Sequence, residues 1–345
     1  MISRRTCSAL GKSYWQVGDG QISARSKVRS ETVAQNRQRG LTCVNAASLN
    51  NIQPKAKSKA HRGDFVMPLF AIRLLATVSI LFPGVAAANA EPASVFLEDM
   101  TTSEVRARVG SGCPVGIIFN GGGEATGPAL ALGKHIFRAR AYGEALAQAI
   151  GDAMVAPIQP FAPNEGDNGE PSPFERFAGT ISVSPAVFAS LNEEIARSLI
   201  GGGFKRIALL GDHGDGQIQL KEVAARLDAE FSSKGIRVFY IGDGYSKARK
   251  EIEDEGVAIG RPAGGHGGLW DTAETLAVRP EAVRMDKLAP GDISNGGNGD
   301  LNAEGVAGDP RPATAEIGKR FGSIRVQAAT DQLRAYLEAA GPCAG

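Results

Sequence analysis

The stretch "RIALLGDHGDGQ", Arg206–Gln217, sets an apolar run against a glycine-rich turn in which a histidine stands between two aspartates. Ile207–Leu210 followed by Gly211 reads as a buried strand coming to its end. After the turn, "IQLKEVAARLDAEFSSKG" (Ile218–Gly235) has helical periodicity and closes on glycine, and "RVFYIGD" (Arg237–Asp243) reads as the next strand. The same rhythm extends outward in both directions. "PVGIIFN" (Pro114–Asn120) and "MVAPIQ" (Met154–Gln159) are strands on either side of the helix "RARAYGEALAQAIG" (Arg138–Gly151). "SPAVFASLNEEIARSLIGGGF" (Ser184–Phe204) is a helix with a serine cap, proline at its first position and glycines at its end, and "SKARKEIEDEG" (Ser246–Gly256) is a charged helix. Strands without a polar face, alternating with helices, predict an α/β fold: a three-layer α/β/α arrangement around a mostly parallel sheet. No internal repeat and no linker divides this region.

The 345 residues carry a net charge of +1 that hides an asymmetry. Residues 1–62 hold twelve Lys/Arg against Asp19 and Glu31, whereas residues 91–345 hold 25 basic and 34 acidic residues. A domain of that sign is a poor partner for nucleic acid. Between the two parts, "MPLFAIRLLATVSILFPGVAAANAEPAS" (Met67–Ser94) has the anatomy of a secretory signal: Arg73, an apolar run from Leu74 to Ala88, and the small-x-small site Ala88–Ala90. The run is short for a membrane span and is broken by Pro83–Gly84. The expectation is a doubtful basic leader over 1–66 from an upstream extension of the gene model, a cleaved signal over 67–90, and a periplasmic or secreted domain over 91–345. A genuine basic targeting extension is the alternative for 1–66. The exported part keeps Cys113 and Cys343. Export permits a disulfide, but cysteines so far apart in sequence leave pairing and two free thiols equally open. No CxxC occurs, which excludes a cysteine-based zinc or thioredoxin motif.

Of four histidines, His61 lies in the leader, and His135, His213 and His266 each stand in or beside a glycine-containing loop. In open α/β sheets the functional loops lie beyond the carboxyl ends of the strands. "GGGEATGPALALGKH" (Gly121–His135) and "GDHGDGQ" (Gly211–Gln217) both follow strands, so Glu124, His135, Asp212, His213 and Asp215 should meet on one edge. Glu124 and His135 suit a divalent metal, although a solvated Glu and a helix-capping His would give the same string. The triple glycine lacks the Lys-Ser/Thr of a phosphate loop. His213, flanked by glycine, can turn toward a metal, with Asp212 or Asp215 as a further ligand or as the acceptor that orients the ring. A tight turn with exposed acids is the competing reading. In "GGHGGLWDTAETLAV" (Gly264–Val278), His266 before a helix that carries Asp271 suits proton transfer, or else is a satisfied loop histidine beside a capping Asp.

Taken in order, these motifs resemble the creatininase (creatinine amidohydrolase) family. The matching strings are "EATGPALALGKH" (Glu124–His135), "FAGTIS" (Phe177–Ser182), "GDHGDGQ", "HGGLWDTA" (His266–Ala273) and "GVAGDPRPATAEIGKR" (Gly305–Arg320). "LGKH" and "GDHG" suggest an exported-type branch. The resemblance implies a creatininase-like fold, hydrolysis of cyclic or linear amides, and metal ligation by Glu124, His135 and His213. It places Asp215 or Asp271 at a further carboxylate, with Asp215 as a fourth ligand, and His266 at a proton-transfer histidine. It also implies a homo-oligomer, commonly a hexamer. Members carry a metal pair, but here Thr126 stands for a family His and His135 for the Asp that bridges the metals. Ala129 and Ala178 also replace a His and a Pro. A neutral imidazole binds one ion through one nitrogen, so one ion is expected, with an open position for water.

The expected activity is therefore metal-assisted hydrolysis of a small-molecule amide. Zinc is the leading ion, and manganese and iron suit the same donors. His266 would protonate the leaving nitrogen, and Asp215 or Asp271 would take the water proton. The rival is an exported family member that has lost catalysis and binds a small ligand or metal. No membrane association is expected after signal cleavage. Protein purified from its native host is expected to begin at or near Glu91, as read by intact mass or N-terminal sequencing; a mature chain retaining residues 1–66 would overturn both the start and the export expectation.

Overall fold

The computed structural model describes residues 94–164, 176–262, 264–297 and 299–343. The expected leader over 1–66 and signal over 67–90 lie outside the described residues. Among those described, no helix is long and apolar enough to cross a membrane.

Helix α1 (Thr102–Ser111) opens on a capping box: Thr101 accepts from the Glu104 N–H, and the Glu104 carboxylate accepts from the Thr101 N–H at 2.7 Å. Then follow β1 (Val115–Asn120), α2 (Lys134–Ile150), β2 (Ala153–Val155), α3 (Pro185–Gly201), β3 (Arg206–Gly211), α4 (Gln217–Phe231), β4 (Arg237–Tyr240), α5 (Ser246–Ala258) and α6 (Leu269–Val278). A one-turn helix α7 (Ser294–Gly297) and the long α8 (Ala315–Ala340) complete the order. The Ser184 cap and Pro185 set the start of α3 as the sequence predicts.

The four strands pair in the order β2-β1-β3-β4, and every pair is parallel. All six residues of β1 and all six of β3 are buried, as strands covered on both faces must be. Alternate residues supply the two cores. Val115, Ile117 and Phe119 pack with Ala139, Tyr142 and Leu146 of α2 and Ala329 and Leu333 of α8. Ile118, Ile207 and Leu209 pack with Phe188 and Ala196 of α3 and Leu220, Val223 and Leu227 of α4. This is the expected three-layer α/β/α arrangement. A third cluster, Ile252, Leu269, Trp270, Ala273 and Phe321, joins α5, α6 and α8. There α6 and α8 touch at backbone distance: a Cβ on Gly318 would stand 1.8 Å from the Ala273 carbonyl oxygen.

Three details differ from the sequence expectation. Strand β2 is three residues long rather than six. Helix α2 begins at Lys134, so His135 sits in its first turn and not in the loop before it. Helix α8 is not among the elements expected from the sequence; its buried face mixes Phe321, Ala328, Ala329 and Leu333 with Gly318, Gly322, Arg325 and Thr330.

Cys113, between α1 and β1, is disulfide-bonded to Cys343, just beyond α8, with Cα atoms 6.1 Å apart and a sequence separation of 230. Of the two alternatives left open by the sequence, the structure takes the pair. Closing so long a loop stabilises on the order of 2–4 kcal/mol. Protein spanning 91–345 made under oxidising conditions should show no free thiol in denaturant, and Cys343→Ser should lower its unfolding free energy by about that amount in a urea titration.

Candidate metal centre

Strands β1 and β3 end level: Asn120 is the register partner of Gly211, and the Asp212 N–H donates to the Asn120 carbonyl at 2.9 Å. The chain leaves β1 for α2 and β2 on one side, and leaves β3 for α4 and β4 on the other. The strand order therefore reverses between β1 and β3, the place where α/β sheets form their crevice. The turn after β1 is pinned under α2, since a Cβ on Gly121 would lie 2.8 Å from the Ile136 Cα. Glu124 and His135 come from one side of this crevice and Asp212 and His213 from the other.

Glu124, His135 and His213 each present one ligating atom, all within 4.8 Å of one another, and all three residues are buried. Glu124 Oε2 lies 3.1 Å from His135 Nε2, and Oε1 lies 3.3 Å from His213 Nε2. The two rings meet edge-on, with centroids 4.7 Å apart. His135 Nδ1 is 2.7 Å from Asp212 Oδ2 and 2.8 Å from Arg138 Nη2, so the ring is held on that side by an acid and a guanidinium while its Nε2 faces the Glu124 carboxylate and the cluster. His213 Nδ1 accepts the Asp215 N–H at 3.1 Å, so its Nε2 carries the proton donated to Glu124. Burial alone would raise the Glu124 carboxyl; the Lys134 ammonium, with His266 and His213, overrides it and holds the group well below the usual range. Burial lowers the His135 imidazole, reinforced by Lys134. Burial also works against charge on His213, but the Glu124 carboxylate outweighs it and raises that pKa.

A frame of buried ions surrounds the cluster. Lys134, almost fully buried, donates to Asp271 Oδ2 at 2.7 Å and lies 3.1 Å from Glu124 Oε2. Arg138 donates through Nε to Asp212 Oδ2 at 2.9 Å and through Nη1 to Asp271 Oδ1 at 2.8 Å. Arg325, from α8, pairs with Asp212 Oδ1 at 2.6 Å and Glu274 Oε2 at 3.2 Å. Glu274 also accepts from Tyr142 Oη at 2.9 Å and from the Trp270 indole N–H. Burial raises the Glu274 carboxyl, against the pull of the Arg325 and Arg138 guanidinium groups beside its oxygens.

The predicted site residues thus fall into distinct places. Glu124, His135 and His213 come together. Asp212 orients His135 and not the neighbouring His213. Asp215 lines the cavity and gives its N–H to His213, but its carboxylate is not among the clustered donors. Asp271 has both oxygens engaged, Oδ1 by Arg138 and Oδ2 by Lys134 and the Gly267 N–H at 2.9 Å. His266 Nε2 lies 2.9 Å from the Ala125 carbonyl oxygen, which can only accept, so Nε2 carries the proton. Its Nδ1 lies 3.7 Å from Glu124 Oε2. Burial, then the Lys134 charge, pushes this imidazole down to about 4. Thr126 turns its hydroxyl to the Glu124 backbone carbonyl at 3.3 Å, outside the cluster. Sequence reasoning missed Lys134, Arg138, Arg325 and Glu274. The one available signal was Lys134 and Arg138 flanking His135 at helical spacing. All of this opens on a cavity of about 740 Å³, with Tyr245, Arg249 and Trp270 along its wall.

The family model for creatinine amidohydrolase (creatininase) matches residues 98–335. A creatinine amidohydrolase of Pseudomonas putida is 23% identical over 258 residues, covering 70% of this chain and 96% of that one. A mycofactocin precursor peptide peptidase of Mycolicibacterium smegmatis is 26% identical over 195 residues, covering 54% of this chain and 68% of that one. A mutant creatininase of Zn–Zn type superposes with a TM-score of 0.57 at 23% identity, covering 70% of this chain and 98% of that one, which is a likeness of fold.

The depressed His266 pKa has a direct consequence. A histidine whose pKa falls from about 6.5 to about 4 is neutral at every pH above the lower value. In metal-free protein, ¹⁵N-detected imidazole NMR should find His266 neutral, with its proton on Nε2, from pH 8 to below pH 5. A midpoint near 6.5 would contradict both its burial and its tautomer.

Proposed function

The chain belongs to the creatininase family of amidohydrolases, and from that membership we propose that it hydrolyses an amide C–N bond with a single divalent ion held by Glu124, His135 and His213. The observation that carries this reading is the convergence of those three buried donors at the strand-end crevice. One carboxylate and two imidazoles suit zinc, and manganese or iron less selectively. When bound, such an ion lowers the pKa of a water and polarises a carbonyl.

The charge of the frame favours one ion over two. The buried carboxylates Glu124, Asp212 and Asp271 already face the buried cations Lys134, Arg138 and Arg325. A divalent ion adds positive charge that a developing oxyanion partly offsets; a second would add as much again beside cations already in place. The family's paired site also depends on donors that are absent here, since Thr126 bonds its own loop and His135 has its second nitrogen committed to Asp212.

The proton path then differs from the sequence expectation. His266 is neutral at rest, so it cannot open the reaction as an acid. It takes the proton of the attacking water at Nδ1 and returns it to the leaving nitrogen, while the Ala125 carbonyl holds the ring by Nε2–H. Asp271, bound by two cations, stays their counter-ion, and Asp215 fixes His213. The cavity is mid-range for a small-molecule site, at about 740 Å³. That admits a short linear amide, such as a peptide end, as readily as a ring, in keeping with a peptidase among the relatives. The Cys113–Cys343 disulfide supports export, because structural disulfides persist in oxidising compartments.

Turnover on a panel of lactams, small amides and short peptides, with and without a chelator, tests the reading together with elemental analysis. Wild type should hold about one ion per chain and lose activity on chelation. His213→Ala and His135→Ala should lose ion and turnover together. His266→Ala should keep the ion and lose about 10²-fold or more in kcat. Loss of the ion in His266→Ala would make that residue a ligand. A metal-loaded wild type that turns over nothing on the panel would favour a binding protein over an enzyme.

A further inference from the structure

Lys134 has no local reason to be where it is. It is the first residue of α2, where the helix dipole disfavours a cation, and its side chain is almost fully buried. Among the described residues two carboxylates hold it, Asp271 Oδ2 at 2.7 Å and Glu124 Oε2 at 3.1 Å. These come from different elements, the start of α6 and the loop after β1. The same Glu124 oxygen lies 3.1 Å from His135 Nε2, on the side where the first ion's donors gather. Glu124 Oε2 is thus shared between the histidine of the metal cluster and the Lys134 ammonium, which reaches on to Asp271. Paired ions in two-metal hydrolases stand about 3.5–4 Å apart. A second ion between Glu124 and Asp271 would have to take the place that the ammonium holds.

We propose that the Lys134 ammonium is the permanent second cation of this site, bridging Glu124 and Asp271 and setting the metal count at one. This rests on the single-ion reading above and adds its cause. With Lys134 in place, a second divalent ion meets a fixed positive charge at contact distance and finds both oxygens taken. Without Lys134, the buried balance falls by one charge, and Glu124 Oε2 and Asp271 Oδ2 lose the ammonium between them.

The test is a calorimetric zinc titration of metal-stripped full-length protein, with elemental analysis after gel filtration in excess zinc. Wild type should take up one ion. Lys134→Met should take up two, the second at least 10-fold more weakly than the first. Lys134→Arg keeps the charge and should stay at one. Because Lys134→Met removes the cation shared by two buried carboxylates, leaving Asp271 to Arg138 and Glu124 to the histidines, it is purified in zinc and its Tm recorded with and without the ion. Zinc should raise that Tm by more than it raises the wild-type value. If Lys134→Met is folded and still binds one ion, or if Lys134→Arg binds two, the inference about Lys134 fails while the single-ion reading stands. If wild type itself binds two ions, or none, both fall.

Discussion

Glu124 has to remain an anion with almost no water around it, and the rest of the centre is arranged to make that tolerable. Isolated in a protein interior, a carboxylate takes up a proton instead of keeping its charge. Here Lys134 stands 3.1 Å from one oxygen, while His135 and His213 approach both. Lys134 in turn needs Asp271, Asp271 needs Arg138, Arg138 needs Asp212, and Asp212 needs Arg325. The chain of ions runs from the loop after β1 through α2 and α6 to α8, so the metal donors are coupled to the packing of four elements. Breaking such a buried pair by removing one partner costs about 3–5 kcal/mol, because the charge that remains is uncompensated.

That coupling explains the architecture around the sheet. Helix α8 supplies Leu333 and Ala329 to the core beneath β1 and β3, and from the same helix sends Arg325 into the centre. Gly318 lets α6 lie against α8 at backbone distance, and α6 carries both Asp271 and Glu274. The aromatic groups follow the charges: Tyr142 and Trp270 donate to Glu274, and the Arg325 guanidinium lies 5.4 Å from the Tyr142 ring centroid. The disulfide ties the segment that enters β1 to the segment that leaves α8.

The three histidines among the described residues do three different things, and their second nitrogens decide which. His135 gives one nitrogen to Asp212 and aims the other at the cluster. His213 receives a backbone N–H, so an ion at its Nε2 has to displace the proton now shared with Glu124. His266 is anchored by a carbonyl and kept neutral by burial beside a lysine. Identical side chains within one cavity thus come to differ in their partners and in the direction of their pKa shifts.

The sequence by itself determined the sheet, its two helical layers and the edge on which the site lies. Ile207–Leu210 and Val115–Phe119 can only be buried strands, and glycine-rich turns after such strands must emerge at their carboxyl ends. The ordered motifs from Glu124 to Arg320 carried the family, and with it Glu124, His135 and His213. What the tertiary structure alone decided is the ionic frame. Lys134, Arg138, Glu274 and Arg325 read in sequence as ordinary charged residues on helices, and the usual place for such residues is a solvated face. Nothing local marks them as buried, because the groups that neutralise them lie far away in the chain. Their partners meet only when α6 and α8 close over α2, and it is that long-range pairing of charge, which no residue pattern encodes locally, that sets the partners of His135 and the charge around Glu124.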